Sequence, residues 1–306
     1  MKIAVVGAGT FGQNHCRVVR ESERAELTAI VDLDPAKGTL TDYRELPGKV
    51  DGAIVSAPTI LHEEITTFLL ANGIDVLVEK PIAVDLAEAD RMIAAAETNG
   101  RILQVGHLER FNPAVIEIER RATLPLFFEI HRMNQFTPRC LDVDVVLDLM
   151  IHDVDIVLAM ATGEPVEIRA AGISILSPKV DIANVRLAFE NGCVANLTAS
   201  RISTERVRKL RLFQPAQYLS LDYARQDLAI FSVQGGKIGF EQAPVTKSEP
   251  LKLQLDAFLD SMATRNSPKS PGPAARRTLA VALAIIDKIK EHSQVVSQTL
   301  EAGWKP

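Results

Sequence analysis
The sequence predicts a two-domain α/β protein: a doubly wound parallel sheet, then an α+β domain with a mainly antiparallel open sheet. Two features carry the prediction. Up to about residue 118, short apolar strands alternate with helices, the pattern of a parallel sheet covered on both faces. Beyond about residue 120 the strands lengthen and alternate apolar with polar, with turn signals between them. The chain has 306 residues, enough for two domains of about 100–200 residues each. The boundary is expected between 118 and 119, giving domains 1–118 and 119–306.

In order, "KIAVVG" reads as a strand, "FGQNHCRVVRE" as a helix and "AELTAIVD" as a second strand. "DGAIVSAP" is a buried strand, and "LHEEITTFLLANG" is a helix closed by Gly73. "IDVLVEKP" is a strand that Pro81 stops. "DLAEADRMIAAAETNG" is a helix with Asp85 as N-cap, Glu88 three residues on and Gly100 at its end. "RILQVGH" is the last strand of the first domain. In the second, "PLFFEIHRMNQF" is a strand, followed by an apolar helix at 145–157. "DIANVRLAFENGCVANLTASRI" is a hairpin turning at Asn191-Gly192. "KLRLFQP", "QYLSLDY" and "DLAIFSV" continue the sheet. Helices at 249–265 and 274–292 flank the loop "SPKSPGP".

Composition excludes several classes. The chain is 47% hydrophobic and 24% charged with net charge −5, an ordinary globular balance that argues against a broad nucleic-acid footprint. Cys16, Cys140 and Cys193 are too few and too scattered for a disulfide framework or a metal site. No apolar run is long enough to span a membrane. The opening "MKIAVVGAG" reads as a strand rather than a signal peptide, and a cytoplasmic location is expected.

"VVGAGTFGQNH" places Gly7, Gly9 and Gly12 in G-x-G-x-x-G spacing between a strand and a helix, with Asp32 ending the next strand. Gly7 permits the tight turn, Gly9 lets a pyrophosphate approach the backbone, and Gly12 lets helix and strand pack closely. The free N–H groups and dipole of the helix start favour the phosphate charge. This is the Rossmann arrangement. Asp32 can accept hydrogen bonds from ribose hydroxyls and repels a 2′-phosphate, so NAD is expected over NADP; Lys37 is the residue that weakens this.

The helix "VVLDLMIHDVDIV" has apolar residues on almost every side at about 100° per residue, so burial is expected. Asp144, Asp148, His152 and Asp155 nevertheless fall on one stripe. Buried ionisable groups are costly unless paired or lining a polar cavity, so one wet edge is expected. Lys80 ends the fourth strand, on the side where open α/β sheets bind ligands; an ordinary strand-end lysine is the alternative.

Four pieces in order, "GAGTFG" at 7–12, "APTILHEE" at 57–64, "EKP" at 79–81 and the D-x-x-x-H pair of "DLMIHDVD" at 148–155, resemble the glucose–fructose oxidoreductase / inositol dehydrogenase / MocA (Gfo/Idh/MocA) family. The resemblance covers the whole length. It implies that Lys80 and His152 flank the reacting carbon of a sugar or polyol, with Asp148 as helper. It also assigns Gly7, Gly9, Thr10, Phe11, Gly12, Asp32, Ala57, Pro58, Thr59, His62, Glu79 and Lys80 to the cofactor, NAD. A neutral imidazole can take the hydroxyl proton, and Lys80 can stabilise developing charge on oxygen. Asp144 and Asp155 are expected to serve structure or domain contacts.

"GHLERFNPA" at 106–114 resembles the branch of that family whose members oxidise C3 of UDP-N-acetylglucosamine, the ketone passing to a separate PLP aminotransferase in lipid A-type amino-sugar synthesis. Substrate contacts are expected from His107, Arg110, Asn112, Arg132, Arg139 and Arg201, the arginines suiting a diphosphate through their planar fork. Asn112 also reads as an N-cap with Pro113 at N1. "RVRKLRLF" at 206–213 reads as a solvated strand face, and Phe136 as a core residue before a base-stacking one. Competing readings are a dehydrogenase of another sugar or cyclitol, and a non-catalytic NAD-binding sensor whose sign would be loss of Lys80 or His152. The open sheet needs a cover; the resemblance implies a homodimer or homotetramer.

Overall fold
The computed structural model describes residues 1–136 and 143–303; Arg139 and Cys140 lie outside them. The chain forms two units that interleave along the sequence: Met1–Phe111 with Ser248–Leu279, and Asn112–Lys247 with Ala280–Pro306.

The first unit is built on five parallel strands, β1 (Lys2–Val6), β2 (Glu26–Val31), β3 (Gly52–Val55), β4 (Asp75–Glu79) and β5 (Leu103–Gly106), in the order β2-β1-β3-β4-β5. Helices α1 (Thr10–Glu21), α2 (His62–Ala71) and α3 (Leu86–Thr98) make three of the crossovers, while β2 to β3 runs through a short 3-10 turn at Tyr43–Glu45. The helix ends follow the sequence signals. Gly73 at φ +80° closes α2 through Gly73 N–H to Leu70 O and Ile74 N–H to Leu69 O, a Schellman pair. Gly100 repeats it on α3, bonding Glu97 O while Arg101 N–H bonds Ala96 O. Asp85 caps α3 by accepting from Glu88 N–H at 2.8 Å.

The single boundary expected at 118/119 does not describe the return of the chain. Helix α6 (Pro250–Thr264) buries Leu251, Leu255, Phe258, Leu259 and Met262 in a core with Ile3, Val5, Ile54 and Leu77. It thus belongs to the sheet laid down at the start of the chain.

The second unit carries eight strands: β6 (Phe127–Gln135), β7 (Pro165–Ile173), β8 (Ile182–Phe189), β9 (Val194–Ser203), β10 (Val207–Gln214), β11 (Gln217–Asp222), β12 (Asp227–Gln234) and β13 (Lys237–Gln242). Their order is β13-β12-β11-β10-β6-β9-β8-β7, antiparallel throughout except for β6 beside β9. Helix α4 (Pro113–Arg121) starts on the Asn112 cap with Pro113 in its first turn. The β8–β9 turn falls at Asn191-Gly192, but as a longer loop: Gly192 at φ +82° donates to Phe189 O, and Cys193 N–H bonds the Asn191 side chain. Strands β7 and β13 add edges that the sequence pattern does not announce. All of β13 is exposed, so it has no alternation to read. The last helix, α7 (Gly272–Gly303), runs past the expected end at 292.

One face of this sheet buries Phe128, Ile130, Leu210, Leu212, Leu219 and Ile230 against Val146, Met150, Val154 and Val157 of the apolar helical segment. The other face carries an aromatic ladder, one ring per strand: Phe127, Phe213, Tyr218, Phe231 and Phe240, with successive centroids 5.8, 4.8, 5.4 and 5.2 Å apart. "LAIFSV" therefore alternates, with Leu228 and Ile230 buried and Phe231 and Val233 exposed. Arg206 and Lys209 of "RVRKLRLF" are exposed, and Arg211 pairs with Glu129 at 2.7 Å. Phe136, expected in the core, is 42% exposed. Among the described residues, no helix is long and apolar enough to cross a membrane.

Asp85→Ala is expected to lower the unfolding free energy of the first unit by about 1 kcal/mol. A shift of the denaturant midpoint at unchanged slope checks it.

Candidate functional site
In the first unit the strand order reverses between β1 and β3, and the loops after these two strands meet at their carboxyl ends. Such a switch point is where open α/β sheets bind ligands. Gly7, at φ +93°, lies so close to Ser56 and Ala57 that a Cβ would stand 2.7 Å from their backbone. A Cβ on Gly12 would overlap the carbonyl oxygen of Gly7. A Cβ on Gly9, by contrast, would meet nothing within 4 Å. Gly9 also caps α1 without a side-chain bond, so no cap side chain covers the first N–H groups of the helix. This is a fitting cradle for a pyrophosphate. Thr10 and Phe11 stand exposed at the same helix start.

Asp32, at the end of β2, accepts from Ala8 N–H at 2.7 Å on one oxygen and from Asp34 N–H at 2.9 Å on the other. Each oxygen keeps a second lone pair for a ribose hydroxyl. Lys37 is held on the surface by Asp34, Nζ to Oδ2 3.2 Å.

His62 is buried beneath the loop that carries Ala57, Pro58 and Thr59. Its Nε2 lies 2.9 Å from Ala57 O, and its Nδ1 lies 3.0 Å from Pro81 O and 3.3 Å from Ile82 O. Burial pulls its pKa below the ordinary histidine value, against the opposing pull of those carbonyls. The ring ties the segment after β3 to the segment after β4. Glu79 is also buried and reaches His15 on α1, Oε1 to Nε2 2.8 Å, while its other oxygen accepts from Lys80 N–H at 3.2 Å. Gly106 makes room for this carboxylate: a Cβ there would sit 2.6 Å from it. Lys80 follows, half-buried, with a cis bond to Pro81. Sequence reasoning missed His15 and Gly106. A histidine on a helix and a glycine in a strand carry no signal until the Glu79 side chain is placed between them.

In the second unit, the helix expected at 145–157 is a π-helical turn (Val146–Met150) running into α5 (Ile151–Met160). Such turns concentrate at functional sites. From Val145 to Leu158 only Leu147, Asp148 and His152 are partly open, and Asp144 just ahead is also partly open. This is the wet edge, with Asp148 in the π turn and His152 one turn on in α5. Asp144 accepts from Val146 N–H at 2.8 Å, and burial raises its pKa. Asp155 is buried, 2% exposed, and so leaves the stripe.

The same helix carries a polar bolt on its buried side. Arg132 on β6, 1% exposed, grips Asp153 through two bonds of 2.8 Å, Nε to Oδ2 and Nη2 to Oδ1. The Tyr223 ring lies under the guanidinium at 4.9 Å, and its hydroxyl donates to Asp153 at 3.4 Å.

Other residues expected at substrate have structural duties. Arg201 is buried beside Asp181 at 3.6 Å and donates to Val143 O and Val180 O. Burial pushes the Asp181 pKa up, but bonds from Ser177 and the N–H groups of Ile175 and Leu176 outweigh it and hold it below the usual range. Asn112 caps α4 and donates to Tyr223 O at 3.0 Å. Breaking a buried ion pair such as Arg132–Asp153 costs about 3–5 kcal/mol, which opposes recruiting Arg132 to phosphate. His107 is buried, while Arg110 is half-buried in the 3-10 turn Leu108–Phe111. Among the described residues, no group of three or more histidine, cysteine or acidic side chains could hold a metal ion.

Residues 1–107 match the family model described as "Oxidoreductase family, NAD-binding Rossmann fold", and residues 118–213 match "GFO/IDH/MocA C-terminal domain". The chain is 33% identical over 301 residues to the UDP-N-acetylglucosamine 3-dehydrogenase of Acidithiobacillus ferrooxidans, covering 93% of this chain and 96% of that one. A solved structure of that organism's enzyme, GnnA, superposes with TM-score 0.91 at 30% identity, covering 95% and 98% of the two chains. The scyllo-inositol 2-dehydrogenase (NAD(+)) of Bacillus subtilis is 27% identical over 235 residues, 66% of this chain and 68% of that one.

Asp32→Asn keeps an acceptor for Ala8 N–H but removes the charge expected to meet a ribose. NAD affinity is expected to fall about tenfold, or about 1.4 kcal/mol, while NADP affinity holds or rises; titration calorimetry with both dinucleotides reads the difference.

Proposed function
The chain belongs to the GFO/IDH/MocA oxidoreductase family, and from that membership we propose that it is an NAD-dependent dehydrogenase of the C3 hydroxyl of UDP-N-acetylglucosamine. The observation that carries this reading is similarity along nearly the whole of a relative that bears that name, joined to an intact dinucleotide cradle in the first unit.

Bound NAD supplies the hydride acceptor. The residues of the chain handle the proton and the charge. His152 takes the proton of the C3 hydroxyl as the carbon gives up hydride and the C=O bond forms. Lys80, by the family resemblance, donates a hydrogen bond to a substrate oxygen and stabilises its developing charge. Asp148, four residues before His152, orients the ring or holds a sugar hydroxyl. Glu79, fixed by His15 and by Lys80 N–H, sets the end of β4 from which Lys80 projects. The sugar-nucleotide diphosphate is assigned to Arg110. The 3-keto product suits a PLP aminotransferase, which would install an amine for lipid A-type synthesis.

The inositol dehydrogenase relative favours a second reading, oxidation of a free sugar or cyclitol. A panel separates the two: UDP-N-acetylglucosamine should reduce NAD, with an aminotransferase added to remove the ketone, while free N-acetylglucosamine and inositols should not. Turnover of a free polyol alone would replace the first reading with the second. Lys80→Met and His152→Asn should each lower kcat by about 100- to 10,000-fold. Full turnover in both variants would remove Lys80 and His152 from the mechanism, and NAD binding by a parent that turns over none of these substrates would instead favour a binding protein without catalysis.

The aromatic ladder supports self-association. Phe240 is 64% and Ile238 80% exposed, and a contiguous apolar face of this kind marks an interface. A second copy seated on the β10–β13 face is the proposed cover. Phe231→Glu with Phe240→Glu should reduce the mass seen by light scattering at unchanged secondary structure.

A further inference from the structure
The helical segment that carries Asp148 and His152 is apolar almost all round. Burial of apolar surface is non-directional, so greasy contacts alone leave such a helix weakly fixed in rotation and in register. A buried polar contact removes that freedom, because only one rotation satisfies it. Here that contact is Arg132–Asp153. Both side chains are about 2% exposed, and both Arg132 bonds to Asp153 are 2.8 Å.

Asp153 is the residue after His152, so it projects about 100° further round the helix. Fastening Asp153 to β6 therefore sets where the His152 ring points. The fastening is braced. Tyr223 lies under the guanidinium and bonds Asp153, and the Tyr223 carbonyl is held by Asn112 at the start of α4. Arg132 itself sits inside the sheet, opposite Ala199 of β9 and Arg208 of β10. The bolt thus ties α5 to the middle of the sheet, just beyond the π turn that bears Asp148.

We propose that Arg132 and Asp153 are positioning residues for His152, fixing the rotation of α5 so that the imidazole meets the hydroxyl proton; this rests on the reading of His152 as the general base. Arg132 is then a positioning residue and not a phosphate ligand.

The test uses the full chain with Arg132→Met/Asp153→Leu, Arg132→Lys and His152→Asn. Replacing both members of a buried ion pair by apolar groups commonly preserves folding. The double variant should therefore keep its circular dichroism and its NAD affinity, while kcat with UDP-N-acetylglucosamine falls roughly 10- to 100-fold at nearly constant KM. Arg132→Lys, which keeps the charge and loses the fork, should fall between parent and double variant.

Histidine ring NMR of the protein without substrate gives a second readout. The His152 signal, one of six histidines, is identified by its loss in His152→Asn and should shift or broaden in the double variant. Parent-like kcat together with an unmoved ring signal would overturn the proposal. Should the double variant fail to fold, Arg132→Lys decides in the same way. If His152→Asn turns over normally, or the parent does not oxidise this sugar, the functional reading falls, and the ring signal still judges the positioning.

Discussion
The close approach at Gly7 and Gly12 is the constraint on which the first unit depends. Two positions without a Cβ let the turn after β1, the start of α1 and the backbone at Ser56 and Ala57 come together. That contact directs the open N-terminus of α1 along the switch point between β1 and β3. The same geometry gives Gly9 its empty surroundings and lets Asp32 bind the N–H of Ala8. Loop shape, helix start and the Asp32–Ala8 bond thus follow from one steric requirement.

The second unit solves a different problem. Its helical segment 146–160 is so apolar that hydrophobic contact can bury it but cannot orient it. Polar contacts supply the missing direction: Asp144 at its entry, Arg132–Asp153 on its buried side, and the Asp181–Arg201 pair, which fastens the carbonyls of Val143 and Val180. Arg132, Arg201 and Asn112, which look like ligands in the sequence, make bonds within this framework. A buried arginine is costly unless its fork is engaged; Arg132 is held by Asp153, and Arg201 by the carbonyls of Val143 and Val180 beside Asp181.

Much of the architecture is legible locally. The Schellman glycines 73 and 100, the Asp85 and Asn112 caps and the Asn191-Gly192 turn act through backbone bonds within a few residues, and all stand where the pattern puts them. The edge strands β7 and β13 were not legible, since an edge has little buried face to impose alternation. Nor was the return of α6 to the first sheet, because its apolar stripe would suit either core. In the candidate site, the glycine loop, Asp32 and the partly open Asp148 and His152 follow from spacing. The His15–Glu79–Gly106 contact does not, since its members lie on α1, β4 and β5 and meet only when the sheet is assembled.

By itself, then, the sequence determined the periodicities, the caps and the dinucleotide turn, because each is set by steric and hydrogen-bonding rules acting over a few residues. Only the tertiary structure decided which charged groups are structural, which strands are edges, and how the His152 helix is wound and fastened. Those outcomes depend on desolvation and on partners distant in the chain, and a linear pattern records neither.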